Sequence, residues 1–329
     1  MNTSSQPYMR TLAGMRPTNI LHIGNYFGSL EGMLELQAMP NVDCYFMVAD
    51  LHAITTPYNK GELEEYSRDM VALYIAAGLD PKKSTLFIQS HIPAHTELAF
   101  LLSSMVSIAR LMHLPTYKEK IKQHPDANSL ALLSYPALMA ADIILYKTTH
   151  VPVGLDQEPH LEITRELIRK LDTELGVKLP EPVRFSTKSS YIPSLTLDGK
   201  MSKSVPNSYI AISDSFDQIH KKIRAVPTAT ESGGEMSPGV KLLFDLLSLV
   251  STEEARRYKK DFEEGSLQYS QLKDALADSL YVFLEPIQKK YGALKQDPVY
   301  VSTIIDQGTQ KASAEAETQL TLIKKAMGF

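Results

Sequence analysis

Cys44-Tyr45-Phe46-Met47-Val48-Ala49 is an unbroken apolar run that stops at Asp50-Leu51-His52-Ala53-Ile54-Thr55. A strand apolar on both faces belongs inside a parallel sheet, and polar groups just past its carboxyl end stand where open α/β sheets bind ligands. On either side, Arg10–Met15 and Thr85–Gln89 read as further strands. Helical spacing separates them: Ile20–Gln37, entered through the turn Arg16-Pro17-Thr18-Asn19, and Glu62–Ala77. The alternation continues through a helix at Ala94–Leu111, a polar loop at Thr116–Asn128, an apolar helix at Leu130–Tyr146, a short strand at Val151–Gly154 and a helix at Glu158–Leu175. Strands separated by helices predict an α/β fold with a doubly wound parallel sheet. After Ser204 the pattern is helical only, over Asp217–Ala225, Val240–Leu249, Glu253–Glu263, Leu267–Tyr291 and Tyr300–Met327. Two domains follow as the expectation: residues 1–204 with the sheet, and an all-helical C-terminal domain over 205–329.

Composition narrows the class. The chain has 329 residues, of which 43% are hydrophobic and 22% charged, enough apolar material for two cores. No apolar run reaches the roughly 18 residues of a membrane span, and Met1–Arg10 lacks a signal-peptide core, so a cytoplasmic location is expected. The single cysteine, Cys44, rules out an internal disulfide and reads as a core residue. A formal net charge of −4 argues against indiscriminate nucleic-acid binding and leaves room for a local basic face.

Two polar stretches carry the chemistry. In Gly199-Lys200-Met201-Ser202-Lys203-Ser204 two ammoniums and two small hydroxyls form a movable clamp for a polyanion. In His22-Ile23-Gly24-Asn25, at a helix start, Gly24 lets a flat base or ribose approach the backbone, and His22 and Asn25 supply donors. His52 is either a ligand contact or the cap of the following turn. Lys120, in the run Tyr117-Lys118-Glu119-Lys120-Ile121-Lys122, either reaches phosphates or belongs to a solvated surface. Asp142, between Met139-Ala140-Ala141 and Ile143-Ile144-Leu145, is a carboxylate in apolar surroundings, costly unless paired. It is expected to wait for a substrate donor, because Tyr135 stands two turns earlier on the same helix face. Past the strand at Val151, Gly154 precedes Asp156, suited to a ribose or to an N-cap, and Gln157, suited to an amino acid's polar head.

His-Ile-Gly-Asn at 22–25, Lys-Met-Ser-Lys-Ser at 200–204 and the α/β-then-helical order resemble class I aminoacyl-tRNA synthetases. Gly14-Met15-Arg16-Pro17-Thr18, Met139-Ala140-Ala141-Asp142 and Val151-Pro152-Val153-Gly154-Leu155-Asp156-Gln157 narrow the likeness to the bacterial tryptophanyl-tRNA synthetase family. The resemblance implies a Rossmann-type catalytic domain, a helical anticodon-side domain and a homodimer. It also implies formation of an adenylate from L-tryptophan and ATP, with Mg2+ bound to the ATP, before transfer to tRNA(Trp). By the same resemblance Asp142 accepts the indole N–H, Met139, Ile143, Val151 and Val153 wall the indole, and Tyr135 and Gln157 hold the ammonium with His52 nearby. Arg16, Gly24, Asn25, Gly154, Asp156, Met201 and Ser202 serve the nucleotide, and Lys120, Lys200, Lys203 and His22 the reacting phosphates; no protein ligands to a metal are assigned. Asn19, Leu12 and Leu155 depart from the family pattern, at a turn, at the pocket and before Asp156. Activation of a carboxylate by ATP needs no protein nucleophile, which agrees with the absence of a triad. A tyrosyl-tRNA synthetase, a small-molecule nucleotidyltransferase of this fold and an inactive tRNA-binding module are the alternatives.

Overall fold

A computed structural model describes residues 8–17, 21–123, 128–186, 192–202, 205–228 and 236–329. Lys203, Ser204 and Asn19 lie outside them. Five strands, β1 (Met9–Met15), β2 (Val42–Val48), β3 (Ser84–Ile88), β4 (His150–Val151) and β5 (Val183–Arg184), pair parallel in the order β3-β2-β1-β4-β5. The chain winds one way from β1 through β2 to β3, then returns past β1 to lay down β4 and β5. The reversal falls between β1 and β4, where the carboxyl ends of strands in such sheets leave a crevice. The doubly wound parallel sheet is therefore present. The strand expected at Val151–Gly154 pairs only over His150–Val151, and β5 had no counterpart in the sequence pattern.

The helices are α1 (Ile23–Asn25), α2 (Glu31–Ala38), α3 (Asp50–Ala53), α4 (Leu63–Ala77), α5 (Ala94–Ser103), α6 (Ile108–Met112) and α7 (Pro115–Gln123). They continue with α8 (Leu130–Leu145), α9 (Glu158–Leu175), α10 (Phe216–Arg224), α11 (Pro238–Val250), α12 (Thr252–Glu263), α13 (Tyr269–Gln296) and α14 (Pro298–Met327). The helix expected over Ala94–Leu111 is two helices, because the chain turns after Ser103 and restarts at α6, whose N-cap Ser107 accepts from Arg110 N–H. Thr116–Gln123 is not loop but most of α7, whose single buried residue is Tyr117.

Compactness divides the chain into two units in a way no single cut after residue 204 does. One unit holds 1–18, 32–188 and 294–329, and the other 19–31 and 189–293.

The first unit contains the sheet. β2 and β3 are apolar on both faces, and Phe46, Val48, Phe87 and Ile88 are fully buried. α14 lies directly on β3: a Cβ added to Gly308 would stand 1.7 Å from the carbonyl oxygen of Leu86, so no side chain fits there. Arg10, paired with Glu315 at 2.6 Å and with Asp43 at 3.1 Å, ties the same helix to the start of the sheet. The edge strand is thus covered, which removes an open row of backbone groups.

In the second unit α13 buries Leu272, Leu276, Leu280 and Leu284 at a spacing of four, the stripe of a core-facing helix. The helix starts carry the expected caps: Ser215, Ser237 and Ser251 each accept a backbone N–H of the first turn. Between α1 and α2 the chain makes a π-helical turn, Tyr26–Leu30, and the rings of Tyr26 and Phe27 pack on Phe283 with centroids 5.0 and 5.3 Å away.

Candidate active site

In the sheet unit, the residues singled out in the sequence follow the carboxyl ends of the strands. Arg16 follows β1, His52 lies in the short helix after β2, Gly154, Asp156 and Gln157 follow β4, and α8 supplies Tyr135, Met139, Asp142 and Ile143. Ile143 and Val151 are buried in the main core with Leu12, while Met139 and Val153 are partly buried against it. Leu12 is therefore a core residue, and Leu155 is 72% exposed.

Asp142 is 1% exposed and does not stand unpaired. Gln89 Nε2 donates to its Oδ1 at 2.8 Å, His95 Nδ1 stands 2.6 Å from the same oxygen, and His52 Nε2 is 2.8 Å from Oδ2. The expectation of a carboxylate waiting empty for its substrate is corrected accordingly. Burial alone would raise its pKa, but the hydrogen bonds and charges of His52 and His95 outweigh it and hold the carboxyl down at about 2. His95 and Gln89, both fully buried, were not singled out in the sequence, where each sits inside or beside an ordinary apolar run. The nearest signal was position: Gln89 follows the last residue of β3, as His52 follows β2.

Tyr135 forms a second cluster. Its hydroxyl donates to Thr116 Oγ1 at 2.9 Å and meets His160 Nε2, which also lies 2.9 Å from Thr116 Oγ1. Burial, then the charge of Lys120, lowers the His160 imidazole to about 4, so it is neutral at physiological pH. Lys120 Nζ lies 4.7 Å from the centroid of the Tyr135 ring, a cation–π contact. Burial lowers the Lys120 ammonium to about 8, and the charge of Arg16 adds to the shift. A half-buried lysine beside an arginine, with no carboxylate bound to it among the described residues, is suited to a phosphate that would restore its charge. Asp156 Oδ2 accepts from Gln157 Nε2 at 2.7 Å, and a Cβ on Gly154 would meet Asp156 Oδ1 at 2.4 Å. Only glycine at 154 leaves that carboxylate where it is.

In the second unit the two signatures come together. Ile23 N–H donates to Ile210 C=O at 3.0 Å and Ile212 N–H to Leu21 C=O at 2.9 Å, so His22 faces Ala211 across an antiparallel bridge. Asn25 Oδ1 accepts from the His22 N–H at 3.1 Å and closes the helix start. A Cβ on Gly24 would touch the His22 ring at 2.9 Å and the Cβ of Met201 at 3.4 Å, which places the two motifs side by side. Met201 is the buried anchor of the lysine stretch, its N–H donating to Ile192 C=O at 3.3 Å. Lys200 pairs with Pro193 in a small hairpin, whose return requires Gly199 in the left-handed region at φ 68°. Lys200 is exposed, and Ser208 Oγ donates to Ser202 C=O at 2.6 Å. Among the described residues no group of three or more His, Cys, Asp or Glu is placed to hold a metal ion.

Residues 4–285 match the family model of tRNA synthetases class I (W and Y). The tryptophan–tRNA ligase of Clostridium tetani is 38% identical over 324 residues, 96% of this chain and 95% of that protein. The tryptophanyl-tRNA synthetase of Campylobacter jejuni, solved with ADP and tryptophan, superposes with a TM-score of 0.85 at 30% identity, over 98% of this chain and 100% of that one. The Mycoplasma pneumoniae tryptophanyl-tRNA synthetase gives 0.84 at 30% identity, covering 98% of each chain. With both signatures joined in one unit and a buried, hydrogen-bonded aspartate on a helix of the other, the chain belongs to the class I tRNA synthetases of the tryptophan and tyrosine kind.

Proposed function

We infer that the chain is a tryptophan–tRNA ligase: it activates L-tryptophan with ATP to tryptophanyl-adenylate, releases pyrophosphate and transfers the amino acid to tRNA(Trp). The observation that carries the choice of amino acid is Asp142, an ionised carboxylate buried on α8, the helix that also carries Met139 and Ile143, which suits a flat apolar ring bearing one N–H. The likeness to tryptophan–tRNA ligases over nearly the whole chain favours this reading over a tyrosyl enzyme.

The residues divide the work by unit. In the sheet unit Asp142 accepts the indole N–H, Tyr135 and Gln157 with His52 orient the amino-acid end, Asp156 and Gly154 take the ribose side of the nucleotide, and Lys120 and Arg16 take phosphate. In the second unit His22, Gly24 and Asn25 receive the nucleotide at a helix start, and Lys200, Met201 and Ser202, continuing to Lys203, hold the pyrophosphate side. The substrate carboxylate attacks the α-phosphorus and pyrophosphate leaves. The protein positions both groups and neutralises the charge that moves onto the leaving oxygen. Mg2+ bound with ATP would add to the neutralisation of phosphate charge assigned to Lys120, Lys200 and Lys203. A homodimer in the cytoplasm completes the proposal; among the described residues no helix is long and apolar enough to cross a membrane.

Amino-acid-dependent ATP–pyrophosphate exchange over the standard amino acids tests this. Tryptophan is expected to drive exchange, and stronger exchange with tyrosine would overturn the assignment. The chain contains no tryptophan residue, so the indole fluorescence of the bound substrate can be followed free of background from the protein's own indoles.

A further inference from the structure

Asp142 is held asymmetrically. An ionised carboxylate offers about four lone-pair positions, two on each oxygen. Oδ1 meets two donors, Gln89 Nε2 and His95 Nδ1, whereas the described residues place only His52 on Oδ2. The first pair is out of reach of solvent, since Gln89 and His95 are both 0% exposed, while the His52 side chain keeps 15% of its surface. The far side of His95 is fixed as well: its Nε2 stands 2.8 Å from the hydroxyl of Tyr146. Burial and the nearby Asp142 charge push the Tyr146 phenol far up, so it keeps its proton. An ionised carboxylate only accepts, so His95 carries a proton on Nδ1, toward Asp142. Tyr146 is itself locked, stacked on Tyr45 with ring centroids 4.8 Å apart, and the His95 ring lies 6.1 Å from Phe87.

We propose that His95 is a positioning residue and a determinant of specificity: with Tyr146 behind it, it occupies Oδ1 and orients Asp142 so that a single acceptor position, on Oδ2, faces the substrate ring. The proposal rests on the tryptophan reading and deepens it. A rigid acceptor with one lone-pair direction to fill favours a ring that donates one N–H and rejects an isosteric ring that leaves it unfilled, because the unpaired buried acceptor then has no replacement for water. Without His95 the carboxylate can turn or take up a proton, and the distinction between the two rings weakens. His95 does not touch the substrate, so its effect is on the ratio between substrates more than on either rate alone.

The experiment is pyrophosphate exchange by the full-length protein with L-tryptophan and with L-3-(benzothiophen-3-yl)alanine, in which sulfur replaces the N–H. The readout is the ratio of the two kcat/KM values. His95→Leu is expected to lower the ratio at least about tenfold, by losing more with tryptophan than with the sulfur analogue. His95→Asn, whose side-chain amide can donate from near the position of Nδ1, is expected to restore the ratio to within about threefold of wild type. Equal losses for both substrates in His95→Leu would show a merely structural role and overturn the proposal, as would an unchanged ratio. If His95→Leu does not fold, as judged by circular dichroism, Tyr146→Phe decides: a fall of about threefold or more in the ratio supports the relay, and an unchanged ratio overturns it. Failure of the wild-type protein to use tryptophan at all would instead sink the assignment of the amino acid.

Discussion

Lys120 gives the most direct test at the level of single residues. Its folded pKa of about 8 lies below the ordinary 10.5, because burial and Arg16 disfavour the charge. In the free protein the ammonium that would meet phosphate is therefore lost as pH rises through about 8, and kcat/KM for ATP should fall on an alkaline limb there. Bound nucleotide restores the charge, so the limb in kcat should lie higher. Lys120→Arg, which stays charged, should remove the limb; a profile identical to wild type would take Lys120 out of the phosphate site. Asp142→Ala should raise the KM for tryptophan and relax discrimination against phenylalanine by at least about tenfold, read by exchange with both amino acids. The same carboxyl, about 2 folded against 3.8 as its ordinary value, contributes stability that is fully present above about pH 4 and lost as pH falls toward 2. The difference between wild type and Asp142→Asn in denaturant midpoint should therefore shrink over that interval. Asp142 was legible as a costly buried carboxylate, since its neighbours in sequence are all apolar. Its partners were not, because Gln89 and His95 lie 53 and 47 residues away and only the sheet's winding order brings them to it.

Among the elements, α14 is the one whose place the sequence pattern concealed. Its helical periodicity was plain, but periodicity says that a helix buries a face and not which partner covers it. The signal was Gly308, in mid-helix, where glycine costs about 1 kcal/mol against alanine and so asks for a reason; the reason is Leu86 O on β3. Gly308→Val should destabilise the protein by about 3 kcal/mol or more, because the clash is with backbone that has no rotamer to yield. The denaturant midpoint reports this, and a wild-type midpoint would contradict the close approach. α7 was misread for the opposite reason. Its lysines and glutamate look like a solvated loop, and Tyr117 alone is buried. β4 and β5 have two residues each, too short for any alternation to register. The long core elements β1, β2, β3, α4, α8 and α9 were readable because each carries a full period of apolar residues bounded by a turn or cap.

At the scale of the molecule, the helices of the second unit bear the charge expected to meet tRNA. Arg257 pairs with Glu254 and Lys260 with Glu264, at 3.5 and 3.6 Å, and both cations are largely exposed, so these pairs contribute little to stability and can exchange partners for phosphate. Neutralising Arg256 and Arg257 together should weaken tRNA binding and lower the logarithmic salt slope by about 0.7–0.9 for each phosphate no longer neutralised, while exchange without tRNA stays near wild type. Binding with unchanged affinity and slope would assign that surface no tRNA. The division of the chain bears on how the protein comes into being. Each unit is assembled from separated pieces, the chain passing between them after residues 18, 31, 188 and 293, and the Arg10–Glu315 ion pair joins residues 305 apart. During vectorial synthesis, the first strand is made long before the helix that covers the sheet's edge, and residues 19–31 leave the ribosome well ahead of their companions from 189 onward. The second body is not complete before residue 293 has been made, and the sheet body not before the helix that covers its edge. Apolar faces of the sheet therefore stay uncovered until α14 has been made, the condition in which a growing chain is most open to misassembly and has most use for a shielding chaperone.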